Sequence, residues 1–310
     1  VWGKRRDSTG NHWLNDAVRG ATKGLHSDST SAEYTDATVM NAFNSDGFTV
    51  VSHAISNASS ATYVAWNWLA GTAFSNSAGA NGATIASSGQ VNTKAGFSIV
   101  SFSCASGVTS GTVKHGLSVQ PQLLIGKTRN HNVSWYVETP LLAENLTAIL
   151  NETDAWYNPG YNHWNDTYPT DTVFSVGGYM AGHSDLTLPS TKIVYAFANV
   201  EGYSKVGSYV GNGSTDGTFV YTGFRPAWIM QKKSNNTGHW HIWDSTRNTS
   251  NEVTRYLSAD DTSAEATDGG LDILSNGFKP RKTGSGLNAS GDTYIYLAFA
   301  SQPFKFSNAF

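Results

Sequence analysis

Residues 229–247 read IMQKKSNNTGHWHIWDSTR, and residues 1–19 read VWGKRRDSTGNHWLNDAVR. Laid over each other at a shift of 228 they need no gap: Lys4-Arg5 falls on Lys232-Lys233, Thr9-Gly10 on Thr237-Gly238, Asp16 on Asp244 and Arg19 on Arg247. After a four-residue insertion Thr30-Ser31-Ala32-Glu33 meets Thr262-Ser263-Ala264-Glu265, and Asp36 meets Asp268. Further on, Ser45-Asp46-Gly47-Phe48 matches Ser275-Asn276-Gly277-Phe278, and Asn57-Ala58-Ser59 with Thr62-Tyr63 matches Asn288-Ala289-Ser290 with Thr293-Tyr294. A more divergent copy lies between them. Pro121–Lys127 (PQLLIGK) aligns with Pro226–Lys232 (PAWIMQK), Phe174-Ser175-Val176 with Phe48-Thr49-Val50, and Val194-Tyr195-Ala196 with Val64-Ala65-Trp66. Self-similarity of this kind is the mark of a repeat architecture, here with a period of about 105 to 123 residues.

The repeat divides the chain into residues 97–202 and 203–310, each opening with an aromatic strand and a Gly-rich turn ahead of a Pro-led strand, and residues 1–96, which lack that opening. Two strands are therefore expected to come from upstream or from another segment, and the natural chain is expected to extend beyond Val1.

Inside each copy, apolar and polar residues alternate, as in Phe97–Phe102, Leu123–Gly126, Ser134–Val137 and Tyr294–Phe299. Period two predicts half-buried strands. Asp46-Gly47, Asn212-Gly213, Asp216-Gly217 and Asn276-Gly277 separate them, and such pairs supply the positive φ of tight hairpins. The expected fold is all-β: tandem antiparallel β-sandwich repeats, jelly-roll-like. Only Leu141–Ile149 has a helical look, worth one short turn.

Composition agrees. Charged residues make up 14% of the 310, while the chain carries 31 Gly, 10 Trp, 14 Tyr and 14 Phe. That balance favours strands over helices. A net charge of -3 gives no electrostatic footprint for nucleic acid or an anionic membrane. One cysteine, Cys104, rules out an intrachain disulfide. No apolar run reaches the roughly 20 residues of a membrane-spanning helix.

Motif-bound chemistry is absent: there is no nucleophile elbow, P-loop, dinucleotide fingerprint, HExxH or paired CxxC. Glu138, Glu144, Glu152 and Asp154 are the carboxylates a glycosidase pair would draw on, although surface carboxylates are the commoner explanation. His239 and His241 share one face of a strand, a spacing for two metal ligands, but the first copy has Asn11 and Trp13 there. Asp16 with Arg19, and Asp244 with Arg247, read as an ion pair fixing a turn. The stretch Asp154–Tyr168 (DAWYNPGYNHWNDTY) is the candidate binding loop. Its Trp156, Tyr157, Tyr161, His163 and Trp164 either stack on sugar faces beside the Asn and Asp side chains, or pack on the sandwich or a neighbouring subunit. No catalytic residue, metal site or cofactor is expected.

Several segments carry a resemblance: Tyr63–Gly71 (YVAWNWLAG), Ala95–Ser101 (AGFSIVS), His115-Gly116-Leu117 with Pro121, Gly207–Ser214 (GSYVGNGS), Phe219–Pro226 (FVYTGFRP) and Pro303–Ala309 (PFKFSNA). Together they resemble a repeat of tailed-phage structural proteins, tail-fibre-like, across essentially the whole chain. The resemblance implies a non-enzymatic virion protein with β-sandwich repeats, partnered by other virion proteins and forming a homo-oligomer (a trimer by analogy), with host-surface glycan as a further candidate partner. It also implies that Trp164-Asn165 and Pro169 belong to the ordinary repeat, leaving Trp156–Tyr161 as the better binding segment. A secreted carbohydrate-binding module and a glycan depolymerase are the alternatives.

Overall fold

The structure is a computed structural model that describes residues 1–160, 162–181, 189–284 and 286–301. The closing Pro303–Ala309 motif lies outside the described residues. The protein is predominantly β, in antiparallel sheets. Among the described residues the helix is the single turn Gly178–Ala181, and Leu141–Leu146, expected to hold a helical turn, forms non-helical turns leading to the short strand Ala148–Ile149.

The repeated stretch builds the same hairpin three times. Trp2–Arg5 pairs with Trp13–Asn15, Leu123–Thr128 with Trp135–Glu138, and Pro226–Lys233 with His241–Asp244, placing Trp2 opposite Leu14, Ile125 opposite Val137 and Met230 opposite Ile242. A next strand sets Leu25, Ala148 and Leu257 beside those partners. On the other flank Trp2, Ile125 and Met230 face Trp66, Tyr195 and Leu297. That register corrects the sequence alignment by one residue, since Trp66 takes the station of Tyr195 and not of Ala196. We call these neighbourhoods the first, second and third units.

The strands next to the centre are buried on both faces, not half-buried as their alternation suggested. In Thr293–Ala300, Ile295, Leu297 and Phe299 enter a core shared by all three units, while Tyr294, Tyr296 and Ala298 enter a core private to the third. Leu123 and Ile125 divide from Leu124 in the same way. Period-two alternation thus sorts residues between two cores, because a second layer of strands covers the face that would otherwise meet water. Each large side chain so buried contributes about 1.5–3 kcal/mol. Around the third unit the strands form an eight-stranded sheet that nearly closes on itself.

At the centre, Trp68, Phe197 and Phe299 occupy one station, two residues beyond Trp66, Tyr195 and Leu297. Their rings form a triangle of edge contacts with centroid separations of 6.4, 5.7 and 6.0 Å. Such edge-to-face geometry is the preferred one for aromatic pairs.

Residues Thr72–Asn92, counted with the first repeat in sequence, form a hairpin that pairs with Phe97–Cys104 and extends the sheet of the second unit. Of the four hairpin glycines picked out above, only Gly213 has positive φ, at 66°. Gly277 is needed for another reason: a Cβ there would lie 2.1 Å from the Val220 carbonyl oxygen on the adjacent strand.

Candidate functional site

Most of the buried charged residues stand where units meet. Asp16 accepts hydrogen bonds from the Val18 and Arg19 amides through Oδ1 and from Arg19 Nε through Oδ2. Arg19 donates onward to the Leu14 carbonyl and to Glu33. Asp244, Arg247, Ile242 and Glu265 repeat this network atom for atom. The ion pair that fixes a turn is present at both places, and each also reaches a neighbour: Tyr195 OH donates to Asp16 at 2.8 Å, and Trp66 Nε1 donates to Asp244 at 3.1 Å.

Each glutamate is then clasped from another unit. Arg129 donates to both Glu33 oxygens at 2.9 and 3.0 Å, and Arg6 to both Glu265 oxygens at 2.9 Å. Burial pushes the Glu265 carboxyl up, but Arg6 and Arg247 hold it below its ordinary value. The same junctions carry backbone bonds from Glu33 N to Arg129 O and from Glu265 N to Arg6 O. At the third junction Trp156 N donates to Ser234 O without any ion pair between those two side chains, and the Trp156 ring packs on Trp240.

Two further stations close the cycle. His12, Trp135 and Trp240 each place a ring nitrogen within 3.0 Å of a neighbouring unit's carbonyl, at Ser258, His26 and Ile149 respectively. Trp2 Nε1 donates to His12 Nδ1, so the neutral His12 ring carries its proton on Nε2, and burial drives its pKa down to about 3. Lys4, Lys127 and Lys232 are fully buried, and each donates to a carbonyl across a junction, at Thr262, Thr30 and Glu152. Burial lowers their pKa values to about 8, 7 and 8. In every case the first unit reaches the third, the second the first, and the third the second.

Three rings of the expected binding loop are interior, while much of the rest of the loop is exposed. Trp156, His163 and Trp164 are 6%, 3% and 2% exposed. Trp156 belongs to the shared core, Trp164 packs on Phe174, and His163 lies over Tyr136 with ring centroids 3.9 Å apart. These three rings are taken up by packing, the alternative read beside stacking: apolar area in a loop between sheets is buried wherever a sheet face is within reach. Tyr157 is half-buried and bridged to Thr147 through the backbone, and Tyr161 lies outside the described residues.

Glu138 is buried, with neither carboxyl oxygen hydrogen-bonded among the described residues, and burial raises its pKa well above the ordinary value. Glu144 and Asp154 are exposed, and Glu152 is bonded to Ser134. Cys104 is buried, with its thiol pushed up by desolvation.

The polar, open site is instead on the third unit. His239, His241, Trp243, Tyr256, Asp268 and Lys282 line a cavity of about 280 Å³. Strand alternation puts His239, His241 and Trp243 on one face, and Tyr256 stands edge-on to His241 with centroids 4.7 Å apart. His239 is bonded to Asp260 at 2.7 Å, which raises its pKa, whereas burial lowers that of His241 to about 4. The two histidines have no third ligand: among the described residues no group of three or more His, Cys, Asp or Glu is placed to hold a metal. The Trp243 indole N–H, buried in the wall, has no acceptor among the described residues. Asp268 and Lys282 form an exposed ion pair at the rim. Aromatic walls, an indole donor and charged rim groups are the elements of a sugar-sized polar pocket. The sequence showed the two histidines but not their setting, because Tyr256, Asp268 and Lys282 arrive from strands and turns far along the chain.

A family model described as a domain of unknown function, DUF7483, matches residues 1–303, so the chain belongs to that family. Neither a curated protein nor a solved structure matches it.

Proposed function

We propose that this member of the DUF7483 family is a non-enzymatic structural protein of a phage virion, tail-fibre- or spike-like, whose jelly-roll-like sandwich repeats at 1–96, 97–202 and 203–310 close into one ring. The observation that carries the structural part is the cyclic set of junctions. Lys4, Lys127 and Lys232, with the Arg6–Glu265 and Arg129–Glu33 pairs, hold one unit against the next. The virion part rests on the resemblance of the repeat motifs to tailed-phage structural proteins. Host-glycan adhesion is assigned to the pocket of His239, Trp243 and Tyr256, since Trp156, His163 and Trp164 are buried.

Mass spectrometry of purified particles from the source tests the reading. Peptides of this chain should be recovered at the copy number of a tail or surface component, and native mass spectrometry of the isolated protein should show whether it trimerises. A protein absent from every particle would overturn the proposal and favour a secreted carbohydrate-binding module. For adhesion, a glycan array should give binding that Tyr256→Ala reduces at least tenfold; binding indifferent to that change would remove the pocket from the reading.

A further inference from the structure

The second and third units share a feature that the first lacks among the described residues. Phe97–Cys104 pairs along the free flank of Ser190–Phe197, and Ser204–Val210 along that of Thr293–Ala300. In the opposite layer Ser110–Lys114 pairs with Val173–Gly177, and Val220–Tyr221 with Gly277–Pro280, so that Val113 faces Phe174 and Val220 faces Phe278. Each filling segment, Phe97–Lys114 or Ser204–Tyr221, is one continuous stretch of equal length that supplies a strand to both layers.

In the first unit Tyr63–Trp66 ends its sheet, paired only with Trp2–Arg5, and Phe48–Val50 is paired only with Met40–Phe43. Both layers therefore stop at the same side. Beside them lies a cavity of about 510 Å³, lined by Val1, Phe43, Phe48, Asn67 and Leu69 of the first unit and closed on another side by Gln90 and Ile99 of the second unit's sheet. Three of these stations are filled interior elsewhere. Leu124 and Ile229, equivalent to Val1, are 0% exposed; Phe174 and Phe278, equivalent to Phe48, are 0%; Ala196 and Ala298, equivalent to Asn67, are 0%. In the first unit Val1 and Phe48 are only partly buried, Asn67 is exposed, Phe43 is 36% exposed and Leu69 78%.

We propose that this cleft is an acceptor for a two-stranded polypeptide segment of the chemistry of Ser204–Tyr221: an apolar-alternating strand laid on Tyr63–Trp66, a Gly-rich turn, and a short strand laid on Phe48–Val50. An added strand is held by main-chain hydrogen bonds to the open edge and chosen by the side chains its alternate positions send into the cleft. The two other units show which side chains those are, with Tyr209 and Val220 in the third and Val100, Phe102 and Val113 in the second. The inference stands independently of the virion reading.

The test grafts the chain's own segment. Because Val1 is equivalent to Ile229, residues 203–228 fused directly ahead of Val1 bring a complement to the cleft with its natural spacing. Hydrogen exchange should then show new protection at the amides of Phe48–Val50 and Tyr63–Trp66, with a higher melting midpoint, and a fusion of the same residues in scrambled order should show neither. Phe43→Ala in the fused protein should return part of the midpoint gain, with Phe43→Leu keeping it. Equal protection by the scrambled fusion, or none by either, overturns the proposal. So does protection of those amides in the unfused protein that grows with protein concentration, since a second copy would then be the occupant.

Discussion

The first and third units place Asp16, Arg19 and Glu33, and Asp244, Arg247 and Glu265, in the same hydrogen-bond network, yet among the described residues the outer layer behind one is open and behind the other filled. Local geometry at the junctions is therefore indifferent to whether the outer layer is complete. What the two units have in common is the contact each makes around the ring, through Arg129 on Glu33 and Arg6 on Glu265. The second unit sharpens the point. It has Thr139 at the aspartate station and Trp156 at the glutamate station, and keeps the backbone bond to Ser234 all the same.

The largest effects should come from breaking the buried pairs. Asp244→Ala and Asp16→Ala each take from an enclosed arginine the carboxylate bonded to its Nε, leaving only Glu265 or Glu33 as counter-charge, and each is expected to cost about 3–5 kcal/mol in denaturant unfolding. If the ring contacts dominate, the two losses will match; a much smaller loss for Asp16→Ala would show that the open unit is loosely held. At the centre, Phe299→Ala is expected to cost about 3–5 kcal/mol. Trp68→Ala, at the same station but only half-buried, should cost visibly less, and equal losses would mean that the first unit's edge is shielded in solution.

Glu138 compares the second unit with the third, where the same station holds Trp243. Its neutral form is favoured in the folded protein, so folding tolerates it below the ordinary carboxyl value of 4.5 and loses stability as pH rises from there toward its elevated folded value. Glu138→Met should remove that decline and raise stability at pH 7 by about 1–3 kcal/mol. An unchanged pH profile between 4 and 8 would count against it. The smallest effects belong to the partly exposed clasps: Arg6→Ala and Arg129→Ala should each cost about 1 kcal/mol, less at high salt, and should do so equally.

The strands and the repeat were legible because both depend on local pattern. Leu123–Thr128 and Thr293–Ala300 are short apolar and aromatic runs that form strands, with successive side chains entering different cores. The Asp16–Arg19 and Asp244–Arg247 turns were legible for the same reason, since the partners are three residues apart. The aromatic loop misled because Trp156 and Trp164 sit among Asn, Gly and Pro, the composition of a surface loop, while their burial is set by Trp240 and Phe174. The pocket of His239 was out of reach because its wall is assembled from Tyr256, Asp268 and Lys282.

By itself the sequence determined an all-β chain, its repeated hairpins and the residues that would be charged at the turns, all consequences of spacing along one strand or one turn. Only the tertiary structure decided that both faces of a central strand are buried, that lysines end on a neighbour's carbonyls, and that one unit keeps two open edges. Those outcomes depend on what stands across a sheet or around a ring, and separations of 91 to 258 residues leave no local pattern in the chain to announce them.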